Sequence, residues 1–73
     1  MAPVPVLSRR EVVRIFESIA WKFARQSASH IILVKEGEIA TLSVPDHREV
    51  AKGTLRSLIR TSGLTVSEFV STI

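Results

Sequence analysis

A few side chains in this 73-residue sequence have types and spacing that could do chemistry. His30 sits in "RQSASHIIL", between a run of small polar residues and an aliphatic run, at the mouth of what reads as a β-strand. An imidazole ordinarily titrates near ~6.5, so a wet one can take and return a proton around neutral pH. The same residue also reads as a strand-end histidine hydrogen-bonded to a turn. His47, between Asp46 and Arg48, reads as turn-stabilising or simply exposed. A metal site built from both histidines and Asp46 is not expected, because there is no close-set ligand pair such as HxxxH. A Ser-His-Asp triad lacks a nucleophile elbow. Cysteine is absent, so disulfides and thiolate zinc sites are excluded. Lys52, Arg56 and Arg60 fall at i, i+4 and i+8, a cationic stripe that can track phosphates. Such a stripe is also the solvated outer face of an ordinary amphipathic helix. Arg25 could grip a phosphate through its bidentate fork or pair with a glutamate at a strand edge.

The elements that must position these groups can be read along the chain. Residues 1–7 hold Pro3 and Pro5, which block helix, and read as a flexible leader to a single domain over residues 8–73. "SRRE", Ser8 to Glu11, is a capping box. The helix it starts places Val12, Phe16, Ile19 and Ala20 on one apolar face and ends near Ala20. Residues 21–26 alternate, with Trp21 and Phe23 on one face and Lys22, Ala24 and Gln26 on the other, which predicts a strand. Ser27, Ala28 and Ser29 make a turn. Residues 30–35 are β-branched and aliphatic, a second strand. Glu36, Gly37 and Glu38 form a hairpin turn with Gly37 free to take a positive φ. Residues 39–45 are a third strand stopped by Pro45. A loop over 46–53 leads to a helix over 54–63 with Gly63 just past its end. "TVSE", Thr65 to Glu68, is a second capping box that opens a short closing helix through Phe69 and Val70. This order predicts an α+β fold with helices on one face of an antiparallel sheet.

Ten cations against seven anions give a net charge of +3, which suits a polyanionic partner without requiring one. The longest aliphatic run, residues 31–34, is far short of the ~20 apolar residues of a bilayer span. No signal peptide is visible, so a soluble cytoplasmic protein is expected.

Pairing Val34 with Ile39 across Gly37 sets a register. Ile31, Leu33, Ala40, Leu42 and Val44 then share the core face. His30, Ile32, Val34, Thr41 and Ser43 share an open face, where uncovered Ile32 and Val34 mark a partner surface.

The capping-box helix, "AWKFARQSASHIIL", "VPDHREVAKGTLRSLIRTSGLTVSEF" and the order of elements together resemble the HicA family. These are small mRNA-cleaving toxins of type II toxin–antitoxin pairs. The most specific pieces are "RQ" followed by "SH", then "VP.H", then "GTLR..IR..GL", and the resemblance runs from about Ser8 to Phe69. It implies a double-stranded-RNA-binding-like α-β-β-β-α fold: a three-stranded antiparallel sheet, helices on one face and a short C-terminal helix. It implies ribosome-independent, metal-free and cofactor-free endoribonuclease activity on mRNA, restrained by a HicB-type antitoxin bound over the active histidine. His30 occupies the family's catalytic position, and Gln26 and Ser29 fall within the same motif. Where members typically carry Lys-Gly before the Ser-His pair, this chain has Ser27 and Ala28. A left-handed turn there costs an alanine ~1 kcal/mol, and a cation beside the site is lost.

On that resemblance His30 acts as general base and then acid on the RNA 2′-hydroxyl, a contribution of roughly 10²–10⁴-fold. Arg25, Gln26, Ser27, Ser29, Lys52, Arg56 and Arg60 are the expected RNA contacts, with Arg25, Lys52 or Arg56 neutralising the phosphorane. His30, Ile32 and Val34 are the expected antitoxin-facing residues. DNA lacks the nucleophile and is not an expected substrate; no membrane partner is expected. The alternative is a non-catalytic RNA-binding or partner-binding module on the same scaffold.

Overall fold

The computed structural model describes residues 3–73, so Met1 and Ala2 of the expected leader lie outside it. Helix α1 spans Arg9–Ser18 and starts at the expected capping box. The Glu11 backbone N–H donates to Ser8 Oγ at 3.2 Å, and the Ser8 N–H donates to Glu11 Oε1 at 3.0 Å. The helix ends in a Schellman arrangement. The Ala20 N–H reaches the Glu17 carbonyl at 3.3 Å and the Trp21 N–H reaches the Phe16 carbonyl at 3.1 Å. Ala20 is therefore not on the apolar face, as its spacing suggested; it sits past the helix end at φ 81°. Val12, Ile15 and Phe16 are the buried residues of α1.

Three antiparallel strands follow in the order β1-β2-β3, with β1 at Lys22–Ser27, β2 at His30–Val34 and β3 at Leu42–Pro45. The β2–β3 register pairs Leu33 with Leu42, Ile31 with Val44 and His30 with Pro45. This is two residues away from the expected pairing. Chain reversal is not a tight turn centred on Gly37. The Glu38 N–H closes a turn onto the Lys35 carbonyl at 3.0 Å with Gly37 at φ 84°, and the loop then runs on through residue 41. Ile39 and Ala40, expected in the third strand, lie in that loop, and Ile39 is 101% exposed. A slip of two residues keeps every strand side chain on its face, whereas a slip of one reverses the slipped strand against its partner. Leu33, Leu42 and Val44 are accordingly buried, Ile31 is half-buried, and His30 and Ser43 are exposed. The fold is thus the expected α-β-β-β-α arrangement on an open sheet.

Helix α2, Lys52–Thr61, begins two residues before Thr54, the expected start. Its cap residue is Ala51, which makes no side-chain cap bond, so the sequence carries no start signal there. Its end is the expected one. Gly63 at φ 87° donates to the Arg60 carbonyl at 3.1 Å, and Leu64 to the Ile59 carbonyl at 3.3 Å. Helix α3, Val66–Ser71, opens at the Thr65–Glu68 capping box and contributes Phe69 to the core.

Helix α1 meets β3 and β1, and α2 meets β3 and α3, so the helices cover the middle and far side of the sheet. Leu55, Leu58 and Ile59 of α2 are buried beside Trp21, Phe16 and Phe69. The Phe16 and Phe69 rings pack with centroids 5.2 Å apart at 47°. The segment that read as a leader also contributes: Val4 and Leu7 are buried, and Leu7 bridges to Val50, whose N–H donates to its carbonyl at 2.9 Å. Among the described residues no helix is long and apolar enough to cross a membrane.

Domains this small hold roughly 0.05–0.15 kcal/mol of stability per residue. Removing a core ring consumes much of that: Phe69→Ala should cost about 3–5 kcal/mol. In urea or heat it should leave a shallow or absent cooperative transition; a wild-type-like midpoint would show that α3 is dispensable.

The Ser8 backbone N–H, and after it the Ser8 side chain, hold the Glu11 carboxyl below its usual 4.5, with a smaller contribution from Arg14. A carboxylate depressed in the folded state stabilises the fold above its unfolded pKa, and that stability is lost as pH falls through the folded value. Acid titration of stability should therefore be shallower below pH 4.5 in Glu11→Gln, which keeps the capping box but cannot ionise. Superimposable acid profiles would remove Glu11 from the linkage.

Candidate active site

The β1–β2 connection holds the candidate site. Ser27 pairs with His30, so only Ala28 and Ser29 join the strands. A two-residue hairpin needs positive φ at its first central position when the second is negative, and glycine is the residue that adopts it freely. Ala28 takes it here, at φ 52°. The turn is laced to the end of β3, because the Asp46 N–H donates to the Ser29 carbonyl at 2.7 Å. Asp46 then gathers two more elements: Gln26 Nε2 donates to its Oδ2 at 2.8 Å and Arg9 Nε reaches its Oδ1 at 2.6 Å.

His30 opens β2 and is exposed, with Ser27 and Pro45 as its cross-strand neighbours. Its imidazole makes no hydrogen bond or ion pair among the described residues, so the strand-end histidine tied to a turn is not what the fold contains. What surrounds it is set by a bulge in β1. The register steps from Phe23 opposite Leu33 to Arg25 opposite Ile32, leaving Ala24 as the extra residue. The bulge reverses the alternation expected for residues 21–26. Lys22, Arg25 and Ser27 stand opposite Val34, Ile32 and His30, on the open face. Phe23 and Gln26 stand opposite Leu33 and Ile31, on the helix side. Trp21, expected to share a face with Phe23, precedes the strand and is 1% exposed in the core, while Phe23 is 55% exposed.

The expected site residues therefore separate. His30, Arg25 and Ser27 come together on the open face with Ile32, half-buried, and Val34, exposed. Ser29 is in the turn, and its carbonyl is committed to Asp46. Gln26 is turned the other way, with its amide on Asp46. Lys52, Arg56 and Arg60 are on α2, where Arg56 and Arg60 line a cleft of about 460 Å³ against the start of α3 rather than the histidine face. Two residues escaped the sequence reading. Lys22 reaches the open face only because the strand is paired as it is, and Asp46 acts through long-range partners that no local motif announces. His47 is exposed in the bend after β3. Among the described residues no group of three or more His, Asp or Glu side chains is placed to hold a metal ion.

Chemically, the open face offers an unencumbered imidazole, the hydroxyls of Ser27 and Ser43, and two cations, Arg25 and Lys22. That set can exchange a proton with a bound ligand while neutralising negative charge on it.

A family model described as the HicA toxin of bacterial toxin–antitoxin matches residues 9–64, from the first turn of α1 to just past the end of α2. No curated protein and no solved structure matches the chain.

The strained turn gives a direct test of this geometry. Relieving a left-handed alanine gains about 1–2 kcal/mol, offset by about 0.4–1 kcal/mol of extra chain entropy for glycine in the unfolded state. Ala28→Gly should therefore stabilise by about 0.5–1 kcal/mol and raise Tm by several degrees. A lowered Tm would show that residue 28 does not hold positive φ in solution.

Proposed function

The chain belongs to the HicA toxin family, the toxins of bacterial toxin–antitoxin pairs and generally ribonucleases, and from that premise we propose that it is an mRNA endoribonuclease with His30 as its proton-transfer group. The exposed imidazole at the head of β2, unbonded and sharing a face with Arg25 and Ser27, is the observation that carries this reading.

In the proposed reaction the neutral His30 ring removes the proton from a ribose 2′-hydroxyl. The 2′-oxygen attacks the adjacent phosphorus, and the bond to the 5′-oxygen breaks. The imidazolium returns its proton to that departing oxygen. The products are a 2′,3′-cyclic phosphate and a 5′-hydroxyl, with no net proton consumed. Arg25 and Lys22 neutralise the additional charge on the phosphorane, and the Ser27 hydroxyl supplies a hydrogen bond. Gln26 holds the turn through Asp46 and is a positioning residue in this scheme, not an RNA contact. Lys52, Arg56 and Arg60 form a separate cationic surface for flanking phosphates. A HicB-type antitoxin would silence the enzyme by covering the open face, where Ile32 and Val34 supply the apolar contact that protein interfaces favour at their centre.

His30→Ala should cut the cleavage rate of an RNA transcript by about 10²–10⁴-fold while leaving Tm and RNA affinity unchanged. DNA of the same sequence should stay intact, and a chelator should not slow the wild-type reaction. Equal degradation by wild type and variant would remove His30 from the chemistry. A variant that still binds RNA beside a wild type that never cleaves it would leave a binding module.

A further inference from the structure

On the helix side of the sheet, α1 meets β1 without covering Phe23. Between them lies an open groove of about 560 Å³. Its floor is apolar, with Val13 and Ile31 half-buried, and its most prominent side chain is Phe23. The other two phenylalanines, Phe16 and Phe69, are fully buried, whereas Phe23 is 55% exposed. The cause is local. β1 is the outer strand of the sheet, the helices centre on β3, and the bulge at Ala24 leaves Phe23 facing the helix side where no helix covers it.

The rim of the groove is charged. Arg9 and Asp46 neutralise each other, and the second Asp46 oxygen is held by Gln26. Glu17 is the remaining carboxylate of the lining, against Arg10 and Arg14. Arg10 has no ion pair among the described residues, and Arg14 faces Glu11 only along its own helix. A flat aromatic face beside two arginines is the combination by which proteins hold single-stranded nucleic acid: a base stacks on the ring and phosphates meet the cations. A protein partner would gain from the ring but would have to bury two arginines whose nearby carboxylates are Glu17 and Glu11 alone among the described residues.

The groove and His30 lie on opposite sides of the sheet, with the outer strand β1 between them. Gln26 lines the groove and is followed by Ser27, the cross-strand neighbour of His30. Asp46 lines it too and bonds the turn that His30 follows. From Phe23 to Ser27 the strand runs roughly 13 Å at about 3.3 Å per residue, a span of a few nucleotides around the free edge of β1.

Resting on the ribonuclease reading above, we infer that the α1–β1 groove is a nucleobase subsite: one unstacked base of the RNA strand lies on Phe23, and the neighbouring phosphates lie on Arg10 and Arg14. The strand rounds the edge of β1 between this subsite and His30. The subsite selects single-stranded over duplex RNA, because a paired base cannot present its face to the ring.

The test uses full-length protein carrying His30→Ala, so that substrate survives, and a labelled mixed-sequence oligoribonucleotide of about twelve nucleotides, a length that covers typical single-strand sites. Adding Phe23→Leu should weaken binding about tenfold, since base stacking on an aromatic ring is worth roughly 5–150-fold. Adding Arg10→Gln and Arg14→Gln should reduce the slope of log affinity against log salt by about 1.4, at about 0.7 per phosphate contact on a single strand. The three substituted positions are at the surface, and an unchanged Tm excludes unfolding as the cause. A second readout uses the His30 protein. Phe23→Leu should slow cleavage of the long oligomer and spare a dinucleotide, which cannot span to the groove. Affinity, salt slope and cleavage all indifferent to these changes, with His30-dependent cleavage intact, would overturn the subsite and leave the nuclease standing. No RNA binding by the parent protein would overturn both. Loss of antitoxin binding alone would overturn the subsite and assign the groove to the antitoxin.

Discussion

Leu33 decides which face of this sheet is wet. It is fully buried in the middle of β2, with Phe23 opposite it on one side and Leu42 on the other. Burying a leucine is worth about 1.5–3 kcal/mol, a large share of what a domain this size holds. A one-residue slip of β3 against β2 would turn Leu42 and Val44 away from the face that Leu33 buries and is excluded on that ground. Because side chains alternate along a strand, the same constraint sends His30, Ile32 and Val34 to the other side. The histidine is exposed because its neighbours at alternate positions are needed in the core.

This explains how much could be read from the sequence. Both capping boxes, Gly63 at the end of α2 and the periodicity of β2 are local signals, and each led to the right element. The hairpin register was two residues off, yet the faces of Ile31, Leu33, Leu42 and Val44 came out correctly, since only the parity of the register matters to them. Ala40 was misplaced because the loop is longer than a glycine turn suggests. The start of α2 was hidden because Ala51 caps nothing with its side chain. In β1 parity itself failed. A bulge is one extra residue with no side-chain signature, and here it falls at Ala24, where alternation alone puts Arg25 on the wrong face. The cationic character of the histidine face, Lys22 and Arg25 together, is a product of that bulge and could not be read from spacing. Asp46 was equally illegible, since Gln26 lies 20 residues from it in sequence.

The outer strand shows the same physics from the other side. Trp21 is almost wholly buried although its Nε1–H finds no partner among the described residues. An unmet buried donor costs on the order of 1–3 kcal/mol, which the area of an indole, 150–250 Å² as a class, offsets at about 25 cal/mol per Å². Two residues on, Phe23 has no such cover. One aromatic anchors the exit from α1, and the other is left at the edge where the helices stop. Covering Phe23 would have required α1 to shift toward β1, away from β3, and to uncover Leu42 and Val44, which are both fully buried.

The turn that carries His30 is held by a narrow margin, and the magnitudes show where the margin comes from. An alanine at positive φ costs about 1–2 kcal/mol. The Arg9–Asp46 pair is about one-third exposed on both sides, in a class worth about 0–1 kcal/mol, so it cannot hold the turn alone. The backbone bond from Asp46 to Ser29 adds about 0.5–1.5 kcal/mol, and the Gln26 amide on the same carboxylate adds a charged hydrogen bond. Together they exceed the strain. Strain of this kind persists where surrounding contacts over-determine the conformation, and here the contacts come from three separate elements that meet at Asp46. The position of the imidazole thus depends on α1, β1 and β3 together. Its neighbour Gln26, one residue before Ser27 in the strand, is turned to the helix side and tied to that carboxylate.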